Sequence, residues 1–349
     1  MDVDAQLLDS IALPGARELV YGRPFEAQAT GRPRALLLHG ADLEVHALDP
    51  LFAGDRAPDV VFPLPWPGWG GGVHSADPGL AFAAFSGQRS VRAVRADGST
   101  RWVYEHACWD QRVGHPHTGD DRQVCSGSES GSSGVSADGR FVWAHVVLEA
   151  GDAPDDYLEG WVVLDAETGR ELARLPMPDS VASGSWHLVH PDGVHMGLCV
   201  GMGQDGVLVY WGRWDGRRLT VHDGLNDGLD RILFDVHPDH AGFLTVEHHG
   251  NDLRLHALDG TVLAENEEVR WDHGCGFLDG DTVLATTQVE YDSDPGAHGT
   301  WLLDARTLER RGRVRYPQGT ADGLVRALGD GTWLTCGGTR DTVHHWTVR

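Results

Sequence analysis

Hydrophobic and polar positions alternate along this chain in short runs, and turn residues separate the runs at regular intervals. Short alternating runs predict β-strands, because successive side chains of a strand point to opposite faces of a sheet. We find no convincing long helical period, so the pattern predicts an all-β protein. The clearest apolar runs span residues 141–147, 195–200, 243–247, 283–287 and 333–336.

One segment of the chain occurs twice with few changes. Residues 39–49 read HGADLEVHALD and residues 249–259 read HGNDLRLHALD, with eight of eleven positions identical. Each copy contains a turn, an alternating run and a Leu-Asp turn. Such similarity between distant segments predicts a chain built from a repeated unit. His46, His256 and His344 are predicted to occupy one shared position in the third strand of that unit.

Two series of turns recur in phase and define the unit. The first is rich in Gly, Asp and Pro, residues whose backbone angles suit tight turns. It occurs at residues 31–33, 77–79, 138–139, 191–193, 238–240, 279–280 and 330–331. The second series is mostly Leu-Asp, Ala-Asp or Trp-Asp, at residues 48–49, 96–97, 164–165, 214–215, 258–259 and 303–304, with a seventh place at Trp346-Thr347. A period of about 48 residues with four short strands predicts a seven-bladed β-propeller.

The unit resembles the repeat of WD40-like propeller proteins. Residues 233–259 are similar to that family's inner strand, Pro-Asp turn, second strand and third strand. Residues 330–349 are similar again, with Trp346-Thr347 where the family often has Trp-Asp. The resemblance covers about residues 24–349, and it implies one propeller domain whose first strands line a central channel.

The predicted blades divide the whole chain, residues 1–349, as one domain. The chain stops at the third strand of the last unit, and residues 6–15 have the pattern of a missing fourth strand. We therefore expect this segment to pair with Thr342 to Val348 and close the ring. The blades are predicted at about residues 24–68, 69–124, 125–182, 183–226, 227–268, 269–320 and 321–349, the last completed by residues 5–15.

Composition excludes several classes of partner and cofactor. A net charge of −24 disfavours nucleic acid and anionic membranes, which attract basic proteins. All 28 basic residues are arginine, so neither a Schiff-base lysine nor a Walker A lysine exists. Residues 201–206 fit G-x-G-x-x-G, but they lie between two predicted strands and not before a helix. We expect no cofactor, a cytoplasmic location without signal peptide or membrane span, and a monomer.

Polar side chains from three successive units are predicted to meet in the central channel. The repeat register places Asp235, His273, Cys275 and Arg326 at positions that face it, along with Ser132, Gly134 and Trp186 in earlier units. A carboxylate, an imidazole and a guanidinium that converge would bind a small polar ligand. The alternative is a structural plug of paired charges and water. If the protein is an enzyme, His273 and Asp235 are the candidate acid–base groups.

Four tryptophans stand in the loops that lead into the first strands. Exposed tryptophans beside glycine and aspartate would form a recognition surface for a protein partner. Packing between blades is the alternative for each ring. The four are Trp66, Trp69, Trp186 and Trp271.

Residues 106–134 form the longest interval before a turn, and they contain two cysteines and two histidines. Cys108, His115, His117 and Cys125 could hold zinc in principle. Their spacing matches no well-known zinc site, so we expect no metal and a polar loop outside the repeat.

Two functions remain open from the sequence. The first is a non-catalytic WD40-like module that binds a protein partner or a small polar ligand at Trp69, Trp186, Asp235, Trp271, His273 and Arg326. The second is a lyase or hydrolase at the channel mouth, in which Arg326 holds an anion. A propeller fold does not decide between them.

Overall fold

The computed structural model describes most of the chain as β-structure. It describes residues 2–12, 25–26, 33–66, 71–110, 125, 129–150, 157–178, 180, 182–222, 224–226, 230–239, 241–288, 299–317, 325–336 and 342–348. Within these residues, one short helix, α1 (Leu48–Phe52), and two single 3₁₀ turns (Gly203–Asp205 and Gly224–Asn226) interrupt the strands. No helix in these ranges is long and apolar enough to cross a membrane.

Most of the strands are short, as the alternating runs predict, and each apolar run named above lies within one of them. In chain order they are β1 (Asp2–Ala12), β2 (Phe25–Glu26), β3 (Arg34–His39), β4 (Asp42–Ala47), β5 (Val60–Pro63), β6 (Ser75–Ala76), β7 (Ala83–Ser86), β8 (Ser90–Val94), β9 (Thr100–Glu105), β10 (Ser132–Val135), β11 (Phe141–Ala150), β12 (Tyr157–Asp165), β13 (Glu171–Met177), β14 (Gly184–Val189), β15 (His195–Gly201), β16 (Val207–Trp214), β17 (Leu219–His222), β18 (Arg231–Val236), β19 (Phe243–Glu247), β20 (Leu253–His256), β21 (Val262–Asn266), β22 (Trp271–Phe277), β23 (Thr282–Thr287), β24 (Thr300–Asp304), β25 (Arg310–Arg315), β26 (Val325–Ala327), β27 (Thr332–Cys336) and β28 (Thr342–Val348).

Sequential strands pair antiparallel in groups of four. Five of the six sheets in the described residues are four-stranded: β2–β5, β6–β9, β10–β13, β14–β17 and β18–β21. The sixth has eight strands in the order β22-β23-β24-β25-β1-β28-β27-β26. The four-stranded repeat predicted from the two series of turns is therefore present.

The chain divides into two compact units. Unit 1 contains Met1–Ala16, Leu48–Arg56 and Gly224–Arg349, and so includes β1, α1 and β18–β28. Unit 2 contains Arg17–Ala47 and Ala57–Asp223, and so includes β2–β17.

In unit 1, the N-terminal strand joins strands from the far end of the chain. β1 pairs antiparallel with β28, from Ala5 opposite Val348 to Ala12 opposite Thr342. Its first residues, Asp2 to Asp4, also pair parallel with β25. The predicted pairing of the N-terminal segment with Thr342 to Val348 is thus confirmed, over residues 5–12.

Aromatic side chains fill the cores of both units. In unit 2, the rings of Trp143 and Trp161 lie 4.7 Å apart, and both are fully buried. In unit 1, Trp333 Nε1 donates to Tyr316 Oη at 2.9 Å, so its buried polar atom is satisfied. Tyr316 also packs edge-on against Trp346. Burial of these large rings stabilises sheets whose short strands each bury little apolar surface.

The two copies of the repeated segment form different hairpins. In the first copy His39 lies opposite Asp42, so the strands are joined by two residues. In the second copy the amide of Glu247 donates to the carbonyl of Asp252, so the turn has four residues. The carboxylate of Glu247 accepts the N–H groups of the turn residues His249 (3.0 Å) and Asn251 (3.1 Å). The longer turn leaves two histidines, 248 and 249, outside the pairing with β20.

The third-strand position that His256 occupies in β20 is taken in β28 by Trp346, and not by His344 as predicted. Each side chain contacts a threonine on the neighbouring second strand. Thr245 Oγ1 lies 2.8 Å from His256 Nε2, and Trp346 Nε1 donates to Thr335 Oγ1 at 2.9 Å. His344 lies opposite Thr335, two residues earlier.

Candidate functional site

The predicted tryptophans do not form an exposed group. Trp271 is fully buried and its Nε1 donates to the carbonyl of Asn266 at 2.9 Å. Trp66 is also buried, against Gly87. The expectation of surface exposure is wrong for these two rings, because both pack inside the protein. Trp186 is half-buried in β14, and Trp69 lies outside the described residues.

Asp235 and Arg326 lie together in unit 1. Arg326 Nη2 is 3.8 Å from Asp235 Oδ1, and Nη1 donates to the carbonyl of Phe234 at 3.2 Å. Asp235 Oδ2 accepts the N–H of Phe277 at 2.9 Å. A Cβ at Gly276 would lie 2.7 Å from the same oxygen, so glycine is required for this approach. The pair therefore ties together β18, β22 and β26.

One polar atom of this pair remains unengaged. Arg326 Nε is buried and has no hydrogen-bond partner among the described residues. The side chains of Asp235 and Arg326 are each only 14% exposed. A polar atom of a ligand could satisfy this donor, since a buried N–H without a partner costs about 1–3 kcal/mol.

His273 contacts a different set of groups in unit 1. Its Nε2 lies 3.1 Å from the carbonyl of His248, and the two imidazole rings are stacked at 5.7 Å. The ring of Phe234 lies 6.1 Å from it on the side of β18. Cys275, predicted beside His273, is buried. Phe234 thus adjoins both His273 and the Arg326 guanidinium.

A second polar cluster in unit 1 was missed by the sequence analysis. Ligand atoms of Asp230, His248 and His249 all lie within 4.8 Å of one another. The amide of His248 donates to the carbonyl of Asp230 at 2.7 Å, which brings the two residues face to face. The adjacent histidines 248 and 249, at the start of the second repeated segment, are the available signal in the sequence.

Unit 2 contains a largely buried chain of polar contacts. Glu159 Oε2 lies 2.9 Å from His145 Nε2, and His145 Nδ1 lies 3.0 Å from Ser185 Oγ. Ser185 Oγ lies 2.7 Å from Ser132 Oγ, which is 3.0 Å from His187 Nδ1. The chain links β10, β11, β12 and β14.

This chain of bonds corrects the predicted channel register in unit 2. Ser132 is fully buried and bonds to residues of the neighbouring β14, and Gly134 faces the Cβ of His187. Both therefore lie between strands of adjacent sheets and not along an open channel. Ser185 beside His145 has the composition of a nucleophilic site, but its 1% exposure excludes contact with a substrate.

Burial keeps His187 neutral. It lowers the pKa of His187 to about 3, with a smaller contribution from the charge of His145. Trp161 Nε1 donates to His187 Nε2 at 2.9 Å, so Nε2 is the unprotonated nitrogen. The proton on Nδ1 is then directed to Ser132. This residue acts as a structural connector.

In unit 1, Arg231 and His256 belong to a comparable buried network. Arg231 Nε donates to Thr245 Oγ1 at 2.8 Å, and its Nη2 bonds to Asp252. Burial lowers the pKa of His256 to about 4. The network joins the start of β18 to β19 and β20 and offers no surface to a ligand.

A His-Pro-Asp turn occurs once in each unit. The amide of Asp192 donates to Nδ1 of His190 at 3.2 Å, and that of Asp239 donates to Nδ1 of His237 at 3.1 Å. Asp192 also lies 2.6 Å from His195 Nδ1. The compact group of His190, Asp192 and His195 is therefore explained as part of a turn between strands.

Two cysteines of the 106–134 interval lie close together. The sulfur atoms of Cys108 and Cys125 are 3.6 Å apart. The side chain of Gln88 bonds to both the N–H and the carbonyl of Cys125. Burial raises the pKa of Cys108 to about 12. His115 and His117 lie outside the described residues, so the zinc hypothesis there remains a sequence-based alternative.

The comparisons with known proteins show the fold alone. No protein-family model matches the chain, and no curated protein matches its sequence. A solved structure of the mitotic checkpoint complex aligns with TM-score 0.54 and 10% identity, over 98% of this chain and 92% of that one. The dihydro-heme d1 dehydrogenase NirN aligns with TM-score 0.52 and 14% identity, over 95% of this chain and 66% of that one. BamB from Moraxella catarrhalis aligns over 98% and 99% at 12% identity, with TM-score 0.44.

The chain has a β-propeller-like fold. This agrees with its four-stranded antiparallel sheets. Identities near 10% leave function to be argued from this chain's own residues.

Proposed function

We propose that the protein is a non-catalytic interaction module of the propeller type, and that a protein partner binds at the outer strand β21 of unit 1. The observation that carries the proposal is an exposed apolar pair on β21. Val262 is 46% exposed and Leu263 is 55% exposed. A single exposed apolar residue is ordinary, but adjacent ones on an edge strand invite pairing with another chain.

The repeat itself supplies a comparison for Leu263. In four sheets the pairing of the third and fourth strands skips one residue near the start of the fourth strand. These bulged residues are Arg101 in β9, Leu172 in β13, Leu263 in β21 and Arg311 in β25.

The other three bulged residues have partners within their own unit. Arg101 pairs with Glu167, and Arg311 bonds to Asp304. Leu172 packs against the core of unit 2. Leu263 has the same backbone setting but a large apolar side chain exposed to solvent. Bulges are specific features that redirect side chains, so we infer that this one presents Leu263 to a partner.

The test is partner capture from native-cell lysate with a Leu263→Arg variant, which installs the residue type found at two equivalent bulges. We expect wild-type protein to capture a partner that the variant loses. Val103→Arg is the matched control, because Val103 is a 40% exposed apolar residue on the outer strand β9 of unit 2. A partner captured equally by wild type and Leu263→Arg contradicts the proposal.

The finer architecture belongs to the same proposal. We infer seven blades in one closed domain, because the eight-stranded sheet contains two runs of four, β22–β25 and β26–β28 with β1. Pairing of β1 with β28 supports closure by the N-terminal strand.

A small polar ligand at Arg326, Asp235 and His273 is the second candidate function. The buried, unengaged Nε of Arg326 favours it. Thermal shift measurements with a panel of small carboxylates and phosphates test it. Stabilisation that Arg326→Met abolishes supports a ligand site and reopens the question of catalysis by His273 and Asp235. No stabilisation by any compound leaves the pair as a structural plug.

A further inference from the structure

Three metal-binding side chains converge in unit 1 on the turn that differs between the two repeated segments. The imidazoles of His248 and His249 and the carboxylate of Asp230 come within 4.8 Å of one another. Asp230 and His248 are half-buried, and His249 is exposed. Two imidazoles and one carboxylate suit a borderline divalent cation.

The backbone holds these side chains in place. The bond from the His248 amide to the Asp230 carbonyl extends the pairing of β18 with β19 by one residue. The Glu247 carboxylate fixes the amide of His249 at 3.0 Å. Gly250 adopts a φ of +80°, which lets the turn close behind the histidines. The cluster therefore belongs to an ordered turn.

A third histidine supports the cluster from outside. The ring of His273 stacks on His248 at an interplanar angle of 14°, and its Nε2 lies 3.1 Å from the His248 carbonyl. This contact limits the rotation of the His248 ring. Groups that orient a metal ligand in this way commonly change metal affinity when they are removed.

Within the part of the chain that the structure describes, the fold does not use the polar atoms of these three side chains. Among the described residues, no hydrogen bond engages the ring nitrogens of His248 or His249 or the carboxylate of Asp230. Other buried or turn histidines, such as His190 and His256, have protein partners. The free atoms distinguish this cluster from the structural networks.

We propose that Asp230, His248 and His249 bind a Zn²⁺ ion, with water completing the coordination. Zinc bonds of about 2.1 Å separate tetrahedral ligand atoms by roughly 3.4 Å, so small side-chain rotations within the present 4.8 Å cluster are sufficient. The exposure of His249 leaves one side open to solvent. The proposal is independent of the partner surface at β21.

The test measures Zn²⁺ binding to the full chain by competition with a chromogenic chelator. We expect one equivalent for wild type, and loss of that equivalent in His248→Ala/His249→Ala. His39→Ala is the matched control, because His39 stands in the same His-Gly-x-Asp-Leu sequence without a second histidine, and it should bind as wild type. His273→Ala should bind roughly 10- to 100-fold more weakly.

A second measurement keeps the outcome clear if the double variant fails to fold. Co²⁺ bound to wild type should give visible d–d bands without the near-ultraviolet charge-transfer band of a thiolate, and Asp230→Asn should alter them. A thiolate band, or zinc lost in Cys108→Ser/Cys125→Ser but retained in His248→Ala/His249→Ala, overturns the proposal. Absence of any stoichiometric zinc or cobalt binding to wild type overturns it as well.

Discussion

Glu159 and His145 are joined in unit 2 by a contact of 2.9 Å between Oε2 and Nε2, and neither side chain has any solvent exposure. Burial alone raises the pKa of Glu159. The hydrogen bond and charge of His145, with bonds from Ala182 and Ser180, outweigh burial and lower it below its usual value. The carboxylate is therefore ionised in the folded protein.

The first prediction concerns removal of one member of this pair. Glu159→Ala should lower the free energy of unfolding by about 3–5 kcal/mol, because an uncompensated polar partner is left buried. Glu159→Ala/His145→Ala should cost less than the sum of the single changes. Urea unfolding of the four proteins gives the coupling. Strict additivity would show that the pair is not a unit.

Acid should weaken the protein through its buried neutral histidines. Burial lowers the pKa of His74 and of His256 to about 4, below the unfolded value of about 6.5. As pH falls from 6.5 towards 4, only the unfolded chain takes up these protons, so stability decreases. Each histidine contributes about 1.4 kcal/mol per pH unit in that window.

Thermal unfolding between pH 7.5 and 4.5 checks this prediction. We expect Tm to fall steadily below pH 6.5, with a shallower slope in His256→Gln than in wild type. His39→Gln is the control, because His39 is exposed. A flat profile down to pH 4.5 contradicts it.

Removal of the N-terminal strand should destabilise unit 1. Deleting residues 1–15 removes the pairing of β1 with both β28 and β25 and exposes their edges. The expected loss is several kcal/mol. Deleting residues 2–4 alone removes only the parallel contact with β25, and should cost less. An unchanged Tm with a monomeric product in the longer deletion would rule out a closing role for β1.

Removal of Arg326 alone should destabilise the protein more than removal of both Arg326 and Asp235. Arg326→Met leaves Asp235 beside Phe277 without its counter-charge, so it should destabilise the fold by more than Arg326→Met/Asp235→Leu. Chemical denaturation of the single and double variants measures the difference. Equal losses would indicate that solvent already screens the pair.

Sequence periodicity predicted the strands and the four-stranded sheets because side-chain alternation and turn residues are local signals. It also brought Asp235 and Arg326 together, since the repeat register places them at equivalent positions. The register failed at Ser132 and Gly134, which lie against the adjacent sheet that contains β14. Trp66 and Trp271 are buried and not exposed as expected, because the sequence carries no direct measure of the burial of a side chain.

The cluster around His248 was unpredictable for a different reason. Two nearly identical segments close with turns of different length, because Glu247 caps amides that Leu37 at the equivalent position cannot reach. A single carboxylate thus changes the position of two histidines. Internal repeats predict the shared fold well and the individual turns poorly.

The pairing of β1 with β28 has a consequence for biosynthesis. A ribosome makes β1 before its antiparallel partner β28, which emerges more than three hundred residues later. At about 5–20 residues per second, the strand waits tens of seconds with Leu7 and Ile11 unpaired. During that interval the nascent chain offers an apolar β-segment to chaperones or to neighbouring polysomes. We therefore expect this protein to mature slowly in cells, because β1 can pair only after β28 has been made.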